Sequence, residues 1–277
     1  MADVYKGYRE LVLNNDEMSD FYSGLYELPA DVMDNEYLLM KNSAGEIIDK
    51  IRYADGAYTH VRYPVINDHY GNMIKARNEY QNCAIDLLLN PAAKVKLIRG
   101  VYGSGKDLLM VSAAMSLIDK GKFKKIIFIR PNVTVANVPD IGFIPGDEQE
   151  KLAWTLGPIL DKVGGEAQLK TLLTKGTIEN VPLLYIRGRS FENAIIYVTE
   201  GQNMTTEIVK LLISRVGEGS ELWLNGDNHQ SDKRVFDVDN GLNKMVERLK
   251  GNSLFGYVYL PITERGPVAN LANLLDD

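Results

Sequence analysis

The chain has 277 residues, with 31 Lys plus Arg against 37 Asp plus Glu and a formal charge of −6. Hydrophobic residues make up 45% and charged residues 25%. That balance excludes a disordered chain, a collagen-like chain and a membrane bundle, and it leaves room for one large domain or two smaller ones.

Residues 1–75 hold 13 acidic and 7 basic residues, and the remainder holds 24 of each. No large basic face is expected, so nucleic-acid contact has to rest on local clusters. The single cysteine, Cys83, permits no intramolecular disulfide, and with three histidines a Cys/His zinc site is not expected. No apolar run reaches about 18 residues. The opening MADVYKGYRE lacks a basic segment followed by an apolar core, so a secretory signal is not expected. A reducing cytoplasm is the expected compartment.

Runs rich in Ile, Val and Tyr over 36–40, 46–54 and 58–65 are separated by turn residues at Asn42–Gly45, Asp55-Gly56 and Asn67-Asp68. They predict a small antiparallel sheet, against the alternative of an irregular arm. From Asn78 the pattern becomes alternating helix and strand. Tyr80, Ala84, Leu87 and Leu88 predict a helix ended by Pro91. Strands follow at Lys94–Arg99, Ile126–Ile129, Leu183–Ile186, Ala194–Val198, Glu221–Leu224 and Tyr257–Leu260. Helices are expected over Asp107–Lys120, Glu148–Val163, Thr205–Arg215, Asn240–Lys250 and Val268–Leu275. Apolar strands without alternation, separated by helices, predict an α/β fold with a mainly parallel sheet covered on both faces. The division expected is a small β-rich N-terminal segment, 1–75, and an α/β domain, 76–277.

Between the second predicted strand group and its helix lies Gly100-Val101-Tyr102-Gly103-Ser104-Gly105-Lys106-Asp107-Leu108, a fit to G-x-x-x-x-G-K. Glycines there let backbone N–H groups form an anion nest, a helix N-terminus adds partial positive charge, and Lys106 supplies a point charge to β- and γ-phosphates. The alternative is a ligand-free strand–helix turn. After the lysine a Ser or Thr ordinarily serves Mg²⁺, and here the residue is Asp107. A carboxylate is a hard-cation ligand, or simply suits the first turn of a helix. The strand 194–198 ends in Thr199-Glu200. Glu200 stands where a glutamate polarises the attacking water, and Thr199 stands where an aspartate supports the metal. Asp107 and Thr199 thus read as a compensating exchange around one metal; the rival reading is that both changes weaken metal binding and hydrolysis. A third cluster, Gly226-Asp227-Asn228-His229-Gln230, places Asp227 and Gln230 at the same end of the sheet, where Gln230 would sense the γ-phosphate, or else Gly-Asp-Asn is a plain turn.

Together these clusters resemble the PhoH-like P-loop ATPases, whose core is akin to that of superfamily 1 helicases, from about Asn78 to Leu275. Further stretches carrying the resemblance are RNEYQNCAIDLLL, the Arg130-Pro131 pair, DIGFIPGDEQEK, LLYIRGRSFENAIIYVTEGQNMT, SRVGEGSELWLNGDNHQSD and NSLFGYVYLPITERG. It is strongest toward members carrying a PIN-type nuclease ahead of the ATPase. No stretch here resembles that nuclease, and residues 1–75 look like the short β-rich joining segment. Stand-alone members are common in phages, so the resemblance fits a phage source. It implies an ATP- and Mg²⁺-dependent hydrolase, helicase-like, acting on single-stranded RNA or DNA as a homo-oligomeric ring, such as a hexamer.

By position, the resemblance gives Gln81 as an adenine-reading glutamine, or else a helix-surface side chain. It gives Lys106 as the phosphate lysine, Glu200 as the catalytic glutamate and Gln230 as the coupling glutamine. Arg265 would stabilise transferring phosphate within the subunit or across a ring interface, or else form a surface ion pair. Arg130, Arg187 and Arg189 would meet nucleic-acid phosphates beside the 142–147 loop, or else pair with Asp140, Asp147 or Glu148. Two readings compete with an active ATPase: a nucleotide-binding module whose hydrolysis has decayed, and a nucleoside kinase, against which the G-D-x-x-Q cluster argues.

Overall fold

The structure is a computed structural model and describes residues 5–67, 71–131, 156–227 and 239–266. Its N-terminal part is built from β1 (Tyr8–Val12), α1 (Asn15–Ser23), β2 (Tyr37–Lys41), β3 (Ile47–Ala54) and β4 (Ala57–His60), followed by a small hairpin of β5 (Ile66–Asn67) and β6 (Met73–Ile74). The expected antiparallel pairing holds for β2, β3 and β4. Asp55 and Gly56 both take positive φ, 51° and 79°, as a tight hairpin turn between β3 and β4 requires. The difference is a fourth strand. β1 joins β2 in parallel, because α1 carries the chain back across before β2 begins. That helix starts with a capping box, in which the Asn14 side chain accepts the Glu17 N–H and the Glu17 carboxylate accepts the Asn14 N–H.

The main sheet has six parallel strands in the order β12-β7-β11-β10-β8-β9. These are β7 (Val95–Gly100), β8 (Lys125–Ile129), β9 (Ile178–Asn180), β10 (Ala194–Val198), β11 (Glu221–Gly226) and β12 (Phe255–Leu260). The helices are α2 (Glu79–Leu89), α3 (Lys106–Asp119), α4 (Gly157–Leu160), α5 (Glu166–Thr174), α6 (Thr206–Ile213) and α7 (Gly241–Leu249). Successive side chains of a strand point to opposite faces. Ile98, Phe128, Ile195, Tyr197, Trp223 and Val258 therefore pack with residues of α2 and α3. Leu97, Ile127, Ile196, Val198, Leu222 and Leu224 pack with residues of α6 and α7. This is the predicted α/β sheet covered on both faces.

Leu183–Ile186 is a correction. It forms a 3₁₀ turn rather than a strand. Pro182 ahead of it offers no N–H, and the chain needs a compact corner there to reach β10. The edge strand beside β8 is β9. The helix expected over 148–163 is described only from 156, where Gly157–Leu160 is helical. The closing helix at 268–275 lies outside the described residues, as do the 142–147 loop, Trp154, His69 and His229.

The N-terminal part is welded to the main sheet. The Tyr259 N–H donates to the Lys6 carbonyl at 3.0 Å, and the Tyr37 N–H donates to the Gly7 carbonyl at 3.0 Å, so residues 6–7 cover the open edge of β12. Gly7 has φ 80°, and a Cβ there would sit 1.8 Å from the Tyr257 carbonyl oxygen, so only glycine fits. Tyr37 and Arg52 both bond the Asp86 carboxylate of α2 at 2.9 Å. Lys50 pairs with Glu79 at the start of the same helix.

Under the sheet, Lys96 is 1% exposed and pairs with Glu221 at 2.7 Å while donating to the Leu88 carbonyl at 2.8 Å. Burial pulls its ammonium down to about 8, with Glu221 opposing the shift. Lys96→Met is expected to cost about 3–5 kcal/mol, since it strands a buried carboxylate. Adding Glu221→Leu should recover part of that loss, and denaturant melts of both variants measure it.

Burial also raises the phenols of Tyr5, Tyr8, Tyr80 and Tyr257, the last to about 12. An unfolded tyrosine titrates near 10. The neutral phenols therefore contribute stability that is complete below pH 10 and is lost as pH climbs above it. Thermal melts at rising alkaline pH should show the fall beginning there.

Candidate functional site

Ligands of open parallel sheets bind at the carboxyl ends of the strands. Here β7, β11 and β10 lie side by side, so three polar strand ends open onto one edge. Their loops and the start of α3 enclose a cleft of about 370 Å³ lined by Gln81, residues 102–109, Glu200, Gln202, Asn225, Gly226, Asp227 and Arg265. That volume lies in the range of small-molecule sites.

The loop 100–106 leaves β7 and opens α3. Gly105 is the N-cap residue with φ 87°, a conformation that suits glycine. A Cβ on Gly100 would meet the Leu260 carbonyl at 2.6 Å, because the loop runs close against β12. Lys106 is 8% exposed, and its ammonium donates to the Gly100 and Val101 carbonyls at 3.0 Å and to Asp227 Oδ1 at 2.6 Å. Asp227 is thus the lysine's partner at the end of β11. Gln230 lies outside the described residues.

Gln81 is not a surface side chain. It is 4% exposed, its Nε2 donates to the Ser104 carbonyl at 2.9 Å and its Oε1 accepts the Arg77 N–H at 2.8 Å. It braces the loop from α2, whose first turn is capped by Asn78. Arg265 lies over the Tyr102 ring at 4.3 Å and donates to its hydroxyl at 2.6 Å. Among the described residues its recorded side-chain partner is Tyr102.

Asp107 and Thr199 are brought together: Thr199 Oγ1 donates to Asp107 Oδ1 at 3.2 Å. The same oxygen accepts from Tyr197 at 2.6 Å and from Asn225 Nδ2 at 2.8 Å. Burial, and then the Asp107 carboxylate beside it, hold the Tyr197 phenol well above 10, so it stays a donor. Glu200 has φ 55°, ψ 37°, a left-handed backbone uncommon for a non-glycine residue. Its N–H donates to Asn225 Oδ1 at 3.1 Å, and its carboxylate accepts from Gln202 Nε2 at 2.7 Å. Gln202 Oε1 in turn accepts the Asp227 N–H at 3.1 Å. Sequence reasoning missed Tyr197, Asn225 and Gln202 as members of this network. The signal was a polar residue inside or just after an apolar strand.

The three arginines differ in their recorded settings. Arg130 follows the last residue of β8. Arg189 pairs with Glu179 at 2.6 Å, and the other Glu179 oxygen takes Lys125, the first residue of β8, at 2.8 Å. Glu179 lies in register with Ile127, the middle residue of β8, whereas Arg130 follows the end of that strand. Arg187 is exposed beyond the 3₁₀ turn. Asp140, Asp147 and Glu148 lie outside the described residues. Cys83 is buried, and burial raises its thiol far above the ordinary range, as for a core side chain. Among the described residues, no helix is long and apolar enough to cross a membrane.

Comparison with known proteins fits this arrangement. A family model described as PhoH-like protein matches residues 73–267. The chain is 35% identical over 98% of its length to protein PhoH2 of Bacillus subtilis, covering 64% of that protein. It is 31% identical over 67% of its length to protein PhoH of Escherichia coli K12, covering 52% of that protein. The chain thus spans between about half and two thirds of these relatives. A solved structure of Pif1 helicase from Candida albicans covers 74% of this chain and 45% of its own, at 15% identity and a TM-score of 0.37, too loose to carry an argument. With the phosphate loop, the strand-end carboxylates and a family match over most of the sequence in agreement, the chain belongs to the PhoH-like protein family.

Proposed function

We propose that the chain binds ATP with Mg²⁺ in this cleft and hydrolyses it, coupling turnover to binding or remodelling of single-stranded RNA or DNA. The observation that carries the reading is the convergence of Lys106, Glu200 and Arg265 on one cleft at the carboxyl edge of the sheet. Backbone N–H groups of 103–106 cradle the phosphates. Lys106 leaves Asp227 and grips the far phosphates. Glu200 takes the proton of a water as its oxygen bonds the γ-phosphorus and the bond to the leaving ADP oxygen breaks. Arg265, stacked beside its own subunit's loop, neutralises charge on the transferring group, which supports action within the subunit.

Asp107 and Thr199 offer hard oxygen donors of the kind Mg²⁺ prefers, so the residues fit the ion. Those two side chains would hold it. The ion supplies charge neutralisation of the phosphates when bound. Gln230 remains the proposed γ-phosphate sensor. Arg130 and Arg187 are the better candidates for nucleic-acid phosphates, since Arg189 is committed to Glu179.

A second reading, nucleotide binding without hydrolysis, is favoured by one feature: Asp107 Oδ1 already accepts three hydrogen bonds. Phosphate release by the wild type, with and without single-stranded RNA or DNA, separates the two. Release above a Lys106→Ala control, stimulated by nucleic acid, supports the first. No release above that control supports the second.

A further inference from the structure

Asp107 stands immediately after the phosphate-loop lysine, where a negative charge faces any nucleotide phosphate placed in the nest. How its carboxylate is held decides what that charge does. Three uncharged donors converge on one oxygen: Tyr197 at 2.6 Å, Asn225 Nδ2 at 2.8 Å and Thr199 at 3.2 Å. None of the described residues donates to Oδ2. Asp107 also lacks a cationic partner among the described residues, because neighbouring Lys106 pairs with Asp227.

The donors are themselves locked. Tyr197 and Asn225 are 1% and 2% exposed. Asn225 Nδ2 also donates to the Tyr197 hydroxyl at 2.8 Å, and Asn225 Oδ1 accepts the Glu200 N–H at 3.1 Å. Flipping that amide would set oxygen against the Asp107 carboxylate, so its orientation is fixed. The Tyr197 hydroxyl accepts from Asn225 and donates to Asp107. The carboxylate is therefore turned one way by buried groups from two strands. Oδ1 accepts all three bonds, and Asp107 lines the cleft with no donor to Oδ2 among the described residues.

We infer that Tyr197 and Asn225 are positioning residues that fix Asp107 so that the cleft accepts the divalent-metal complex of a nucleotide and rejects the metal-free anion. This rests on the nucleotide reading above. A bound divalent cation would turn the Asp107 carboxylate from a repulsive neighbour into a ligand. Without it, the same charge opposes binding.

The test is calorimetry of ADP and of a non-hydrolysable ATP analogue, with saturating Mg²⁺ and with EDTA, on the full chain. The readout is the affinity ratio between the two conditions, which needs no turnover. The wild type should bind the metal complex far more tightly than the free anion. Asp107→Asn should bind the metal-free nucleotide about fivefold or more tightly than the wild type does, since a repulsive charge is gone, while losing most of the gain from Mg²⁺. Tyr197→Phe keeps the Asn225–Asp107 bond and should fold. It should lose about five- to tenfold of the Mg²⁺ gain with metal-free affinity unchanged. A merely structural tyrosine would weaken both conditions alike, and that result would overturn the inference. So would an unchanged ratio in Asp107→Asn, which carries the test alone should Tyr197→Phe not fold. A wild type that binds neither form defeats the nucleotide reading, and this inference with it. A wild type that binds both forms equally defeats only the inference.

Discussion

Lys106→Ala should abolish nucleotide binding in the range where the wild type saturates. Removing one partner from a buried, hydrogen-bonded charge pair costs about 2–5 kcal/mol, or roughly 30- to several-thousand-fold in affinity. The geometry places this residue toward the upper end. Its ammonium is nearly enclosed and is held by two loop carbonyls and Asp227. A triphosphate tail therefore competes with Asp227 for the same cation, so the lysine acts both as an anchor and as the group that must be released. The variant leaves Asp227 short of its partner, and a modest fall in melting temperature should accompany the loss. Equilibrium binding of a fluorescent nucleotide, followed alongside circular dichroism, separates the two effects. An alanine variant that is folded yet binds as the wild type does would mean the loop holds nothing at Lys106.

Glu200→Gln should do the converse. Turnover should fall about 10²- to 10⁴-fold, the usual contribution of a positioned base, while nucleotide affinity stays within about twofold. The side chain sits at the end of β10 on a left-handed backbone, with its N–H fixed by Asn225 and its carboxylate by Gln202. A residue held in an uncommon conformation by Asn225 of a neighbouring strand and by Gln202 in the turn that follows is placed rather than free. The amide is of the same size and keeps the fold, but it cannot take a proton. Single-turnover phosphate release beside a binding isotherm makes the comparison. Equal losses in binding and turnover would reassign Glu200 to holding the loop rather than to chemistry.

Much of this was legible in the residues, for identifiable reasons. Strands β8, β10 and β12 are almost wholly apolar, and β7 and β11 are interrupted only by Lys96, Arg99, Glu221 and Asn225 among their larger side chains, so the runs stand out without any alternation to interpret. The loop at 100–106 announces itself because few other arrangements need glycines followed by lysine between a strand and a helix. What stayed hidden depended on pairing across the chain. β9 is three residues, Ile178–Asn180, two of them polar, and only its place beside β8 makes it a strand. Leu183–Ile186 had strand composition, but Pro182 and the corner it starts decided otherwise. α1 was overlooked although Asn14 and Glu17 carry a capping pattern. Tyr197 and Asn225 sit in apolar runs and read as core. Their roles follow from β11 lying between β7 and β10, a fact of topology that no local pattern carries. Gln81 shows the reverse case: the family resemblance suggested an adenine-reading role, and the contact the structure gives it is a brace on Ser104.

Titration of Mg²⁺–ATP into the folded wild-type chain by calorimetry bears most directly on whether the 100–106 loop is a phosphate nest. The account predicts one saturable site per chain, abolished by Lys106→Ala and competed by ADP. A flat trace up to millimolar nucleotide, from protein whose melting curve shows it folded, would contradict it.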